Sequence, residues 1–303
     1  MANRAKKTVI VRTAQEWNAL DSTVSFVVVE SHSCNELNMR VLDLSRLTGL
    51  QELSIGDYCF ENVNEVVVDG LVNLKRMVIG SNSCSEKNGV FMLTNCSSLE
   101  ELRFGNYSFA SYSSLVIEDV PMLEELVIRS NSFLNVDMVN LIELEGLKKV
   151  VIGENAFMNR KGEFALKDCL NVAEVIVGSG SMRLFNQFEI DGTPSLETIR
   201  IGDDCFANVN EMHLDGLSGL KKVVVGSNSF TLKKNGYGND PTRHFSVKNC
   251  PKLKSLNVGR YSFSDYSTCV IEGVNALEAI TVGDLNEKSC NFYAASLELK
   301  GQS

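Results

Sequence analysis

The sequence predicts a β-rich solenoid, in which coils of 24–25 residues stack and each contributes two short parallel strands. Three observations predict it. A closing apolar position recurs at Leu50, Leu74, Leu99, Leu123, Leu147, Val172, Leu196, Leu220, Leu253 and Leu277, and every interval but one is 24 or 25 residues. Two alternating apolar pairs recur within each coil, which is strand periodicity. Gly, Asn and Asp recur at two fixed corners, the residue types that best tolerate left-handed backbone. A chain of 303 residues would ordinarily suggest two globular domains. Stacked repeats override that prior, because a solenoid grows by adding coils and not by adding cores. The expected organisation is an N-terminal cap over residues 1–30 and a solenoid over 31–303, with an insertion at 231–244.

The cap comes first. Thr8–Val11 reads as a short strand, and Thr13-Ala14-Gln15-Glu16 has the form of a capping box, so a short helix through Trp17 and Leu20 should follow. Ser25–Val29 reads as a second strand. The first coil of a solenoid has an open edge and an open core end, and Trp17, the only tryptophan, is placed to plug it.

The coils follow. In the first strand of each, Leu53 and Ile55 point inward, as do Met77 and Ile79, Leu102 and Phe104, Val223 and Val225. In the second strand the inward pairs are Val66 and Val68, Leu115 and Ile117, Phe188 and Ile190, Phe245 and Val247. Glycine follows the first strand at Gly56, Gly80, Gly105, Gly153, Gly178, Gly202, Gly226, Gly259 and Gly283, which implies positive φ or close approach between coils. The second corner reads Gly70, Asn95, Asp119, Asp168, Gly192, Gly216, Asn249 and Gly273. Between the corners runs an aromatic spine, Phe60, Phe109, Phe133, Phe157, Phe206, Phe230 and Phe263, with Cys84 and Met182 in two coils.

The half-coil L-x-x-L-x-I-x-x-N-x-F stands here as Leu147, Val150, Ile152, Asn155 and Phe157, and again as Leu220, Val223, Val225, Asn228 and Phe230. This resembles a leucine-rich repeat. With its Gly-x-x-Ser/Ala-Phe segment and β-type second half, it is similar to the BspA-like subclass. The resemblance covers about residues 31–301. It implies a parallel sheet on a concave face, and an asparagine ladder at Asn82, Asn131, Asn155 and Asn228 whose side chains satisfy backbone groups at the turn. Tyr58, Tyr107 and Tyr261 stand in the same column and depart from that pattern.

Charge and composition bound the function. The formal net charge is -9 and the sequence pI about 5.0, a poor basis for binding phosphate backbones or anionic membranes. No apolar run is long enough to span a bilayer, and the N-terminus reads as mature protein rather than a signal peptide. Nine cysteines occur without a C-x-x-C. Cys96, Cys169 and Cys250 share an inward position three coils apart, beyond disulfide reach. Free thiols and a cytoplasmic location are expected. No metal or cofactor motif is present, and none of His32, His213 and His244 has a catalytic partner at a recognisable spacing.

Three features remain as candidate sites. The outward column of the first strands reads Ser54, Val78, Arg103, Val127, Val151, Ile176, Arg200, Val224, Asn257 and Thr281. Val127, Val151 and Ile176 form an apolar patch between Arg103 and Arg200, and Val78 and Val224 extend it. Exposed contiguous apolar surface marks contact sites; the structural alternative is β-propensity with partial shielding. Two residues after each closing leucine the charge alternates, Glu52, Arg76, Glu101 and then Glu125, Lys149, Glu174, which sets register. The insertion TLKKNGYGNDPTRH carries Lys233, Lys234, Tyr237, Arg243 and His244, a basic loop for an acidic partner or simply a solvated one. Acidic residues at Asp57, Glu154, Asp203 and Asp204 lie too many coils apart to form an acid/base pair. The expected function is a non-catalytic protein–protein interaction scaffold that binds a protein on its parallel sheet. The alternatives are a glycan-binding or glycan-cleaving β-solenoid, or a module that self-associates end to end.

Overall fold

A computed structural model describes residues 8–159, 161–233 and 240–301. The chain divides into two compact units, Met1–Val136 and Asp137–Ser303. Each is a parallel β-solenoid, with a front sheet built from the first strand of every coil and a back face built from the second.

In the first unit the front strands run Thr8–Val11, Phe26–Val29, Glu52–Ile55, Arg76–Ile79, Glu101–Phe104 and Glu125–Ile128, each paired in parallel with the next. The back sheet is Val41–Asp43, Glu65–Asp69, Val90–Thr94 and Ser114–Ile117. The cap forms with the strand, helix and strand that the sequence predicts, but the helix stops short of Leu20. Helix Ala14–Asn18 starts at Thr13, whose hydroxyl accepts from the Glu16 N–H at 3.2 Å. Glu16 does not close the box on the Thr13 amide; its carboxylate takes the Arg12 N–H at 2.6 Å instead. Trp17 is buried, its ring edge-on to Phe60 at 5.5 Å. Arg46 then closes the helix end by donating to the carbonyls of Trp17 and Leu20.

In the second unit the front strands are Lys149–Ile152, Glu174–Val177, Thr198–Ile201, Lys222–Val225, Ser255–Val258 and Ala279–Val282. The back strands are Met138–Ile142, Glu163–Lys167 and Gln187–Asp191, then Glu211–Asp215, Asp240–Lys248, Tyr266–Glu272 and Ser296–Lys300. Inward apolar residues of both faces are buried in every coil except the last. The spine stacks as expected, with ring centroids 5.3 Å apart for Phe206 and Phe230, 5.0 Å for Phe230 and Phe263, and 5.2 Å for Phe263 and Phe292.

The two corners differ. The glycines after the front strands are there for close approach, apart from Gly283 at φ 71°: a Cβ on Gly226 would sit 2.5 Å from the Gly202 carbonyl carbon, and one on Gly105 would sit 2.5 Å from that of Gly80. The second corner is left-handed throughout, including Glu143 at φ 55°. A third left-handed site was not expected. Phe60, Phe109, Phe133, Phe157, Phe206, Phe230 and Phe263 all have φ between 52° and 58°. Left-handed backbone costs about 1–2 kcal/mol at a residue with a Cβ. Burial of a phenylalanine contributes about 1.5–3 kcal/mol, which offsets it.

The asparagine ladder is not what joins the coils. Asn82, Asn131, Asn155 and Asn228 take φ of 56°, 60°, 52° and 59°, and Tyr58, Tyr107 and Tyr261 take 56°, 57° and 64°. What the column shares is backbone conformation, which lets the main-chain N–H reach the next coil: Asn82 to Asn106 O and Tyr261 to Ser289 O, at 2.8 and 2.7 Å. The side-chain ladder lies one residue downstream. Ser83, Ser132, Ser181, Ser229 and Ser262 are buried, and their hydroxyls donate to the carbonyls of Gly56, Gly105, Gly153, Gly202 and Gly226 at 2.5–3.0 Å. The hydroxyls of Ser83, Ser181, Ser229 and Ser262 also accept amides of the preceding coil, from Cys59, Ala156, Cys205 and Ser229, at 2.9–3.0 Å. Cys59 and Cys205 stand in that column and donate their thiols to Glu30 O and Gly178 O, at 3.0 and 3.3 Å.

Candidate functional site

The outward column of the front sheet is built by strand alternation, and its surroundings differ along its length. In the first unit Ser54 is exposed and Val78 half-buried. Arg103 is paired across the sheet with Val127 and joined to both Glu101 and Glu125. Val127 is only 6% exposed. It is therefore not the solvent-facing centre of a patch. The two ion pairs hold the arginine along the strip, and its long aliphatic stem shields the small neighbour.

In the second unit Val151 and Ile176 are direct cross-strand partners and both are half-exposed. Next along the column comes Arg200, exposed, with its Nε 3.8 Å from Glu174. Val224 and Asn257 continue it, both half-exposed. One flank of the apolar pair carries the Lys149–Glu174 ion pair at 3.1 Å. Glu174 thus answers two cations, which fixes both its own position and that of Arg200. The register charges give the same contacts elsewhere, with Arg76 2.9 Å from Glu101.

Arg243 does not belong to the exposed basic cluster that the sequence suggests for the insertion. Arg243 is 0% exposed, because its limb joins the back sheet as strand Asp240–Lys248 and turns the side chain inward. There the guanidinium lies 3.6 Å from the equally buried Asp265, donates to Ala207 O at 2.9 Å and sits over the Tyr266 ring. His244 meets the Thr268 hydroxyl at 2.9 Å. Lys233 is exposed. Lys234 and Tyr237 lie outside the described residues.

Two of the four acidic residues weighed for catalysis serve the corners. Asp57 accepts the Ser81 N–H and Asp203 the Ser227 N–H, each at 2.6 Å, one coil on. Cys96, Cys169 and Cys250 are buried, and their thiols donate to nearby carbonyls such as Thr94 O at 3.3 Å. Among the described residues no group of three or more His, Cys, Asp or Glu is placed to hold a metal ion. No helix among them is long and apolar enough to cross a membrane. A concavity of about 770 Å³ in the second unit lies on the back face, between Gln187–Asp191 and Glu211–Asp215, with Thr242 of the insertion at its edge. Comparison of the chain with protein-family models, with curated proteins and with solved structures finds no match.

Proposed function

We propose that this protein is a non-catalytic scaffold of the leucine-rich, BspA-like kind that binds another protein on the front sheet of its second unit. The observation that carries the reading is the Val151–Ile176 pair: adjacent, apolar, half-exposed and bordered by Lys149, Glu174 and Arg200. An apolar centre with a charged rim is the usual anatomy of a protein contact. Val127, in the first unit, falls outside this site because it is buried. The same reading places the chain in a reducing, cytoplasmic setting with free thiols.

The test is a pull-down from source lysate with wild type and Val151→Asp/Ile176→Asp, after circular dichroism shows both folded. Partners held by wild type and lost by the double variant support the site; identical partner sets remove it.

A second reading, self-association, is favoured by the last coil. Ile280, Val282, Leu297 and Leu299 are 41%, 44%, 63% and 62% exposed, whereas their counterparts one coil earlier, Leu256, Val258, Cys269 and Ile271, are 2–4% exposed. Sedimentation velocity of wild type against Leu297→Asp/Leu299→Asp separates the two: a concentration-dependent oligomer that the variant abolishes supports self-association.

A further inference from the structure

Among the described residues, the back sheet of the second unit is interrupted between Gln187–Asp191 and Glu211–Asp215. The front strands of the same two coils, Glu174–Val177 and Thr198–Ile201, remain fully paired. The coils therefore part on one side only. Phe188 sits just inside the opening, its ring 5.0 Å from Phe206 and 5.6 Å from Phe230.

The polarity of a parallel ladder identifies the groups left without partners among the described residues. Along each strand, alternate residues aim their N–H and C=O at the preceding and the following coil. Gln187 N–H donates back to Gly162 O and His244 N–H back to Asn210 O, at 3.3 and 2.8 Å. By the same phase, Phe188 and Ile190 face forward into the break, and Glu211, His213 and Asp215 face back into it. The corner shows the same loss. The N–H groups of Glu143, Asp168, Gly216 and Asn249 each donate to a carbonyl of the next coil at 3.0–3.1 Å. That of Gly192 turns instead to the adjoining Asp191 carboxylate, at 2.8 Å.

The chemistry of the groove follows. Glu189, Asp191, Glu211 and Asp215 line it, and Lys167, 2.7 Å from Glu189, is the one lysine or arginine ion-paired to any of the four among the described residues. Carboxylates beside unpaired carbonyls are complementary to a donor-rich cation, guanidinium or ammonium. The bordering strands are five residues long, or about 16 Å, which suits an extended peptide. A whole strand does not fit between the edges. It would need about 9.6 Å between its neighbours, and Cα atoms across the break still come within 8 Å.

We propose that this groove binds a lysine- and arginine-rich extended peptide segment of a partner protein, which lies along the outer face and reaches between the two strand edges with its cationic side chains. The site is separate from the front-sheet contact and stands or falls without it. The net charge of -9 steers such a ligand toward the chain.

The experiment uses a fluorescein-labelled nonapeptide of alternating arginine and serine, titrated against the full chain by fluorescence anisotropy, with a glutamate-for-arginine peptide as control. Glu211→Gln/Asp215→Asn should weaken binding about tenfold or more, as expected for lost charge-assisted hydrogen bonds. Glu52→Gln/Glu65→Gln, in the other unit, should leave it unchanged. Hydrogen exchange gives a second readout. The amides of Phe188 and Ile190 should exchange faster than those of Phe164 and Leu166 on the intact ladder, and should slow when the basic peptide is added. No binding, equal weakening by both variant pairs, or equal protection of the four amides in the unliganded chain would each overturn the proposal.

Discussion

Replacing Ser229 with alanine tests the element that joins one coil to the next. Ser229 is fully buried; its hydroxyl donates to Gly202 O at 2.7 Å and accepts the Cys205 N–H at 3.0 Å. Alanine removes both contacts and leaves a carbonyl and an amide inside the stack where water does not reach. Each buried group left unsatisfied costs about 1–3 kcal/mol, so the loss should be about 2–5 kcal/mol. Cysteine is the informative contrast. The chain already uses it in this column at Cys205, whose thiol still donates to Gly178 O at 3.3 Å. Ser229→Cys should therefore cost about 1–2 kcal/mol, less than alanine. A stack of coils need not unfold in a single step. The assay is accordingly urea unfolding together with native-state hydrogen exchange at the amides of Cys205 and Phe230. The expected order is wild type, then cysteine, then alanine, with exchange fastest at Cys205 in the alanine variant. The reasoning is refuted if alanine lies within about 0.5 kcal/mol of wild type, the range of an ordinary surface change, or if cysteine is the worse substitution.

Three further outcomes follow from the same geometry, and two from the buried thiols. Arg243→Met leaves Asp265 buried with, among the described residues, Thr231 and the Leu232 N–H, each at 3.2 Å, and should cost about 3–5 kcal/mol in urea unfolding; adding Asp265→Asn should restore part of it. Gly226→Ala drives a Cβ to 2.5 Å from main-chain carbon of the preceding coil and should cost about 1–3 kcal/mol. Gly216→Asn, at φ +68° with nothing within 4 Å of its Cβ, should stay within about 0.5 kcal/mol of wild type by thermal unfolding. Burial pushes the thiols of Cys34, Cys205 and Cys269 up from 9.0 to about 12. The fold thus favours their protonated form, and the unfolded chain loses those protons first as pH rises. Their contribution is complete below pH 9 and is lost between 9 and about 12, so the urea midpoint should fall across that window. At pH 8 a native thiol titration should label the half-exposed Cys290 ahead of the eight buried cysteines; rapid reaction of several thiols would contradict the packing.

The period, the strand pairs and the cap were legible because each rests on local pattern. A coil must place apolar residues inward on two strands, and Leu53 with Ile55 or Val66 with Val68 announces that without reference to any neighbour. The left-handed second corner was legible for the same reason, since Gly, Asn and Asp share one backbone preference. The serine ladder was present in the sequence as a column, yet its meaning depends on a carbonyl and an amide of the preceding coil converging on one hydroxyl. That is a property of two stacked turns and not of either alone.

The sites were harder for the same physical reason. Whether an outward residue is exposed depends on what its cross-strand partner does. Val127 is covered because Arg103 is held by two glutamates, and Val151 is open because its partner is the short, apolar Ile176. Arg243 looked like one charge among several in a polar insertion. Its burial follows from the limb's entry into the back sheet at Asp240, where alternation from Phe245 inward forces the side chain toward Asp265. The back-face groove is further still from local pattern. Nothing within Gln187–Asp191 marks the break, since Phe164 and Phe245 stand at the position of Phe188 in strands whose ladders are intact. A repeat therefore advertises its fold through what every coil has in common. It places its distinctive chemistry where one coil fails to match the next.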